Sequence, residues 1–485
     1  MELKTAAFLV ADILSGDAQS QHTFDLARLL MQQGVTVSIH SNGRIGPLPS
    51  DIQAITTQTH PSDYTASSQL TILQYPIWFP LAERFRESKG VAVFWYHGVT
   101  PPALWGTVTE REVLERAEAG TELAWYAHLA VADSPFIAQE LQRHSGYPQE
   151  RIRVVPLGVD TAGFRKKPAR EELDTLRRRW QIEGRRILLY TGRVAGNKCL
   201  ELPIEAMARL KALYPDLHLL IVGDTEATTA YRETAARLRS LVDRLGLADD
   251  VTFTGRVGSI EPYYHLAEVY LLPSQHEGFG LPLVEAMAAG VPIIASASGA
   301  IPWVLNAEGA ASQAAGLLFP AGNIEALVAT MREVLEQPGL REGLIERGRQ
   351  RVEYFSRDQF SLRAAEVLRE AQQLALQGPA PAASQPRSWL YDQADISLRG
   401  YRVRSRVPVV GRLIEWVRHN STTHLKEAYL DRIIERQVVY NRLLADEIPR
   451  LRAEVARLRA DLDRTPSNEG REETSEDKPQ GSPGT

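Results

Sequence analysis

Two glutamates in a glycine-rich stretch are the residues of this sequence best placed to do chemistry. In SQHEGFGLPLVEAMAAG (274–290), Glu277 and Glu285 have seven residues between them. Each carboxylate can accept two hydroxyl hydrogen bonds. The intervening glycines let backbone amides approach a ligand closely, and a helix starting after them adds partial positive charge. A phosphate cradle flanked by two hydroxyl acceptors fits a nucleotide-sugar. Two glutamates at this spacing alone describe a strand-loop-helix crossover with surface acids. The glycines, the proline and the strand before them favour the cradle.

A diphosphate also needs cations. Arg193 and Lys198 lie in GRVAGNK, directly after the apolar run RRILLYT (185–191). Arginine can chelate two oxygens, while lysine supplies a compact point charge. In isolation such a pair is a solvated loop; with the glutamates downstream it reads as a diphosphate site. Cys199, next in sequence, reads as a buried small residue rather than a nucleophile.

The elements that must position these groups follow from periodicity. VYLLPS (269–274) is apolar on both faces, as a buried strand is. Leu283 to Ala289 reads as a helix, with Pro282 at its first position and Gly290 as its stop. Further strands are read at 3–11, 35–41, 69–75, 91–97, 129–133 and 151–160 in one half of the chain. The other half has them at 185–191, 218–224, 251–257, 269–274 and 291–296. Helical stretches alternate with them, which predicts parallel sheets in two tandem doubly wound α/β domains. Ligands of such sheets bind beyond the carboxyl ends of the strands. There stand the first loop, with Ser15, Gly16 and Asp17, and His97, followed by GVTPP. No G-x-G-x-x-G fingerprint accompanies the first loop. A lone histidine at a strand end is more often a structural hydrogen-bonding group.

SQHEGFGLPLVEAMAAG, with His276 ahead of Glu277, resembles the signature of the family 4 retaining glycosyltransferases. YHGVTPP resembles their histidine motif, and Arg193 with Lys198 resembles their diphosphate-binding pair. The resemblance implies the GT-B fold, two Rossmann-like domains facing a cleft. It implies that Glu277 binds sugar hydroxyls near the reacting carbon and that Glu285 binds the ribose. The amides of Phe279, Gly280 and Leu281 meet phosphate or sugar, and Gly16 belongs to the donor-side first loop. His97 faces the donor sugar from the opposite domain, so His97 and Glu277 form the expected catalytic pair. Departures are the single glycine of the first loop, Cys199 where glycine is usual, and Ser356-Arg357 where a tryptophan is usual. YHGVTPP and SQHEGFG lean toward mannosyltransferase-like members, hence GDP-mannose as donor. The nucleotide-sugar is a substrate; no cofactor is implied, and no metal is expected, since no Asp-x-Asp stands at a strand end. A sugar-nucleotide epimerase of similar fold and a catalytically silent coiled-coil scaffold are the competing readings.

Length and composition agree. The 485 residues suffice for two to four domains, and 44% hydrophobic with 24% charged residues is ordinary for a globular chain. A net charge of −5 implies no general affinity for nucleic acid. One cysteine fits a reducing cytoplasm. Acidic residues come too early for a signal peptide, and no apolar run approaches a membrane span. The expected division is 1–164 as N-terminal acceptor-side domain, 180–356 as nucleotide-sugar domain and 357–377 as a final crossover helix. Then follow a Pro/Ala/Ser linker (378–395), a helical accessory region (396–464) and a polar, disordered tail (465–485). Within the accessory region, 399–419 is basic and amphipathic, which suits a membrane interface or packing on the catalytic domains. Leu444 to Leu462 carries a short heptad seam. The expectation is a cytoplasmic enzyme of bacterial polysaccharide synthesis. Its tail would self-associate and bring it to the inner face of the membrane, where a glycan or lipid-linked acceptor lies.

Overall fold

A computed structural model describes residues 3–104 and 108–384. The accessory helices, heptad seam and tail expected beyond residue 384 lie outside the described residues.

Both sheets are parallel throughout. The N-terminal sheet has seven strands: β1 (Thr5–Val10), β2 (Thr36–Ser41), β3 (Thr56–Gln58), β4 (Leu70–Tyr75), β5 (Val91–Tyr96), β6 (Leu129–Ala132) and β7 (Ile152–Val154). Their order is β3-β2-β1-β4-β5-β6-β7. The C-terminal sheet has six: β8 (Arg186–Thr191), β9 (Leu217–Val222), β10 (Val251–Gly255), β11 (Ala267–Leu272), β12 (Ile293–Ser296) and β13 (Leu317–Phe319). Their order is β10-β9-β8-β11-β12-β13. In each sheet the order reverses after the first strand, between β1 and β4 and between β8 and β11. Such reversals open the crevices in which doubly wound sheets bind ligands.

The central strands are near-continuous apolar runs because helices cover both of their faces. On β5, Val91, Val93 and Trp95 join the core beneath the helices Ala18–Gln32 and Arg357–Gln377. Ala92, Phe94 and Tyr96 join the core on the opposite face. The C-terminal domain has one large core, built around β8, β9, β11 and the helix Leu281–Ala289. The two strands missed by the sequence reading, β3 and β13, are three residues long and lie at sheet edges. Runs that short carry no readable period.

The helix Arg357–Gln377 returns to the N-terminal domain, as expected of a crossover helix, without the usual tryptophan. Its Phe360, Ala364, Val367, Leu368 and Ala371 lie in the N-terminal core, and Arg153 Nε donates to Glu370 Oε2 at 2.9 Å. The linker expected over 378–395 needs correction at its start. Ala380 is buried, and Pro381–Ser384 forms a turn within the same compact unit, which ends at Ser384.

Phe360 contacts the rings of His22 and Trp95, with centroids 5.0 and 6.3 Å away. Phe360→Ala should therefore cost about 3–5 kcal/mol of unfolding free energy. Urea denaturation checks this: a loss below ~1 kcal/mol would mean that the helix is not docked through this ring.

Candidate functional site

The glutamate stretch folds as its residues suggest. β11 ends at Leu272, a loop runs over 273–280, and a helix spans Leu281–Ala289. Gly280 is the N-cap at φ 91°, in the left-handed region that favours glycine, and Pro282 sits in the first turn. The helix begins one residue before Pro282, the expected first position, so its amino end meets the loop directly. Neither Phe279 nor Gly280 donates its amide to another described residue.

The switch point of the C-terminal sheet lies between the loops that follow β8 and β11, and one ion pair spans it. Lys198 Nζ stands 2.7 Å from Glu277 Oε1, with both side chains nearly buried. Ser274 Oγ donates to the same oxygen at 2.7 Å. Gln275 N donates to Asn197 O at 2.9 Å and ties the two loops through backbone. Glu277 Oε2 accepts nothing from the described residues and stays available for hydroxyls. Burial pushes the Glu277 carboxyl up, but the Lys198 charge, the hydrogen bonds from Lys198 and Ser274, and Arg193 outweigh it and hold it below its usual range. Behind the loop, Ala300 N donates to Glu277 O at 2.9 Å. Gly299 permits this approach, since a Cβ there would fall 2.4 Å from that oxygen.

Arg193 is solvent-accessible, although ringed by protein atoms; its Nη1 reaches only Tyr231 Oη, at 3.4 Å. Cys199 takes φ 50°, ψ 44°, the conformation glycine adopts freely. The loop thus keeps a left-handed residue after the lysine without a glycine there.

Glu285 lies one turn into its helix and is half-buried. Tyr264 Oη donates to its Oε2 at 2.5 Å. Thr191 Oγ1 lies 2.6 Å from Tyr264 Oη and 3.2 Å from Tyr270 Oη, so a chain of hydroxyls stands behind the carboxyl. Among the described residues no cation compensates it. Burial raises it to about 7, against the lowering effect of Tyr264, with a small further rise from Glu261.

His97 departs from expectation. Its ring is turned into the N-terminal domain and is almost fully buried. Nδ1 lies 2.8 Å from Asp133 Oδ2, Nε2 lies 2.5 Å from Gln74 Oε1, and His22 packs edge-on at 5.1 Å. Both ring nitrogens are engaged, so in this state the imidazole does not face a sugar. Gly16 stands in the loop after β1, where a Cβ would lie 3.8 Å from Arg256 Nη2 of the C-terminal domain. The two domains therefore meet with the first loop opposite the loop after β10. The structure thus brings Lys198, Glu277 and the amides of 279–281 together, with Arg193 and Glu285 in the same domain. Sequence reasoning missed Ser274, Tyr264, Tyr231 and Arg256. Ser274 was legible as a hydroxyl three residues before Glu277; the others come from distant elements. Among the described residues no cluster of three or more His, Cys, Asp or Glu side chains could hold a metal ion. No helix among them is long and apolar enough to cross a membrane.

Two family models match the chain: "Glycosyl transferases group 1" over residues 173–351 and "Glycosyltransferase Family 4" over residues 19–162. Together they span about two thirds of the sequence. The phosphatidyl-myo-inositol mannosyltransferase of Mycolicibacterium smegmatis is 33% identical over 216 residues, 44% of this chain and 50% of its own. The mannosylfructose-phosphate synthase of Agrobacterium fabrum is 31% identical over 170 residues, 33% of this chain and 36% of its own. The chain thus spans about half or less of these relatives' length. The fold is similar to that of Anabaena HepE, solved in complex with UDP and glucose, with a TM-score of 0.58 at 19% identity; the match covers 76% of this chain and 99% of that one.

The two glutamates predict opposite pH behaviour, and Glu285 is the one open to a clean test. Its folded carboxyl keeps its proton to about pH 7, against the usual 4.5. The protonated form favours folding between these values, and that contribution is lost as pH rises through 7. Glu285→Gln should stabilise the free protein by on the order of 1–3 kcal/mol at pH 8 and far less at pH 5. Denaturation at the two pH values checks it; equal effects at both would show that Glu285 ionises normally.

Proposed function

The chain belongs to the family 4 glycosyltransferases of GT-B fold, and from that membership we propose that it transfers a sugar from a nucleoside diphosphate donor with retention of anomeric configuration. The observation that carries this reading is the Lys198–Glu277 pair across the sheet's switch point, beside free amides at a helix N-terminus. The diphosphate lies against Arg193, Lys198 and that helix end. Glu277 Oε2 accepts sugar hydroxyls, and Glu285 accepts the ribose hydroxyls. The anomeric carbon–oxygen bond to the diphosphate breaks, and the acceptor oxygen bonds the same face of that carbon. The acceptor's proton passes to the departing phosphate oxygen. Charge developing on that oxygen is what the two cations stabilise. His97 acts through its bonds to Asp133 and Gln74, which fix the end of β5 next to the glutamate loop.

Mannose, carried as GDP-mannose, is the proposed sugar. Its support is the YHGVTPP and SQHEGFG pattern, together with two relatives whose names specify mannosyl chemistry. The proposed acceptor is a growing glycan or a lipid-linked sugar of bacterial polysaccharide synthesis. Peripheral membrane attachment through 399–419 and self-association through Leu444–Leu462 belong to the same proposal, on the strength of their sequence patterns.

A panel of nucleotide-sugars, read for transfer, hydrolysis and epimer formation, tests the reaction class. Transfer from at least one donor is expected; epimer formation without transfer would make the protein an epimerase. Lys198→Ala should weaken nucleoside diphosphate binding by about 1.5–3 kcal/mol, and Glu277→Ala should lower turnover more than nucleotide affinity. Calorimetry showing parental affinity in a folded Lys198→Ala protein would remove the lysine from the site.

Truncation after Ser384, where the compact unit ends, should leave nucleotide binding intact while lowering oligomer mass and liposome binding. Full-length protein that is monomeric and stays off anionic liposomes at low salt would give the tail another job.

A further inference from the structure

Ser134 stands in the N-terminal domain, as N-cap of the helix Pro135–Ser145, yet its hydroxyl serves the other domain. Fully buried, it donates to the carbonyl oxygen of Gly278 at 2.6 Å. In a trans peptide the carbonyl and the following N–H point to opposite sides. Holding Gly278 O on the Ser134 side therefore aims the Phe279 N–H the other way. That amide donates to no described residue.

The neighbouring contacts converge on the same three residues. His276 Nε2 lies 3.4 Å from Glu140 Oε2, and the ring of Phe136 meets His276 edge-on at 5.5 Å. Ile137 packs against Gly278, where a Cβ would fall 3.3 Å from Ile137 Cγ2 and equally close to His97 O. The first turns of one N-terminal helix thus grip residues 276–278, immediately before the free amide. A side chain at 278 would be tight, since the His97 carbonyl and Ile137 would each have to give slightly to admit a Cβ.

We propose that Ser134 is a positioning residue for transfer. It fixes the Gly278–Phe279 peptide from across the domain interface, so that the Phe279 amide is aimed at charge developing on the donor only when the two domains meet. This rests on the reading of 274–281 as the donor loop. It makes the N-terminal domain part of the donor site through a hydrogen bond rather than through contact with the donor. An aimed amide that acts in the transition state changes kcat more than the affinity for free nucleotide.

Ser134 also accepts a hydrogen bond from Ile137 N, at 3.3 Å. Ser134→Asp keeps that cap and loses the donated proton, whereas Ser134→Thr keeps both. Parent, Ser134→Ala, Ser134→Asp and Ser134→Thr would be compared for kcat and KM, for nucleoside diphosphate affinity, and for amide hydrogen exchange of the 274–281 segment. The Asp and Ala variants should lose about tenfold or more in kcat, keep nucleotide affinity within about threefold, and exchange faster over 274–281; the Thr variant should recover kcat. A parental kcat in Ser134→Asp, unchanged exchange in that variant, or a loss confined to nucleotide affinity overturns the proposal. A parent that transfers from no nucleotide-sugar overturns the functional reading instead, and the exchange measurement still decides whether the Ser134 bond holds the loop.

Discussion

The rest of the site depends on one nearly buried ion pair. Lys198 and Glu277 come from different loops, one after β8 and one after β11, on the two sides of the strand-order reversal. Taking both charges out of water is costly, and their attraction offsets that cost only with close contact and further hydrogen bonds. Here Ser274 and the Gln275–Asn197 backbone bond supply them. Removing one partner would leave the other charged in a poorly hydrated place. The pair therefore fixes the spacing of the two loops on either side of the strand-order reversal.

Glu285 shows the opposite solution in the same domain. It has a tyrosine donor and no cation, so its carboxyl titrates near neutrality. The Thr191, Tyr264 and Tyr270 hydroxyls hold its orientation without neutralising it. A group kept in that state destabilises the free protein above pH 7, while ligand hydroxyls would supply the donors it lacks. Sites built for binding commonly carry such a cost. One domain thus keeps one glutamate charged through a partner and leaves another waiting for one.

Most of the frame was legible because it rests on local pattern. The apolar runs of β4, β5, β8, β9 and β11 and the Pro282–Gly290 punctuation gave strands, a helix and the loop between them. Arg193 and Lys198 were legible as charges following a strand. The partners that tune the site were not, because Tyr264, Tyr231 and Ser134 approach it only through tertiary packing. His97 marks the boundary: its place at the end of β5 followed from sequence, but the direction of its ring was set by Asp133 and Gln74 on neighbouring strands. The family's missing glycine after the lysine had a backbone consequence that composition could not reveal, a cysteine held at positive φ.

The connections between the domains limit how this site can assemble. The chain leaves the N-terminal domain near Val159 and returns near Ser356, and the two crossings run side by side. Val159 N donates to Phe355 O at 2.9 Å, and Arg357 pairs with Asp160 at 3.6 Å. A Cβ on Gly158 would lie 2.9 Å from Phe360, so the outgoing crossing is also pressed against the returning helix. Two crossings bonded to each other resist sliding and twisting more than bending, which leaves a hinge about their common line as the least costly motion. Among the described residues, Ser134 Oγ to Gly278 O is the hydrogen bond that reaches loop backbone across this interface near the glutamates. A hydrogen bond as short-ranged as the one from Ser134 forms over only a small range of hinge angle. Parting of the domains would therefore cost the Gly278–Phe279 peptide its Ser134 bond.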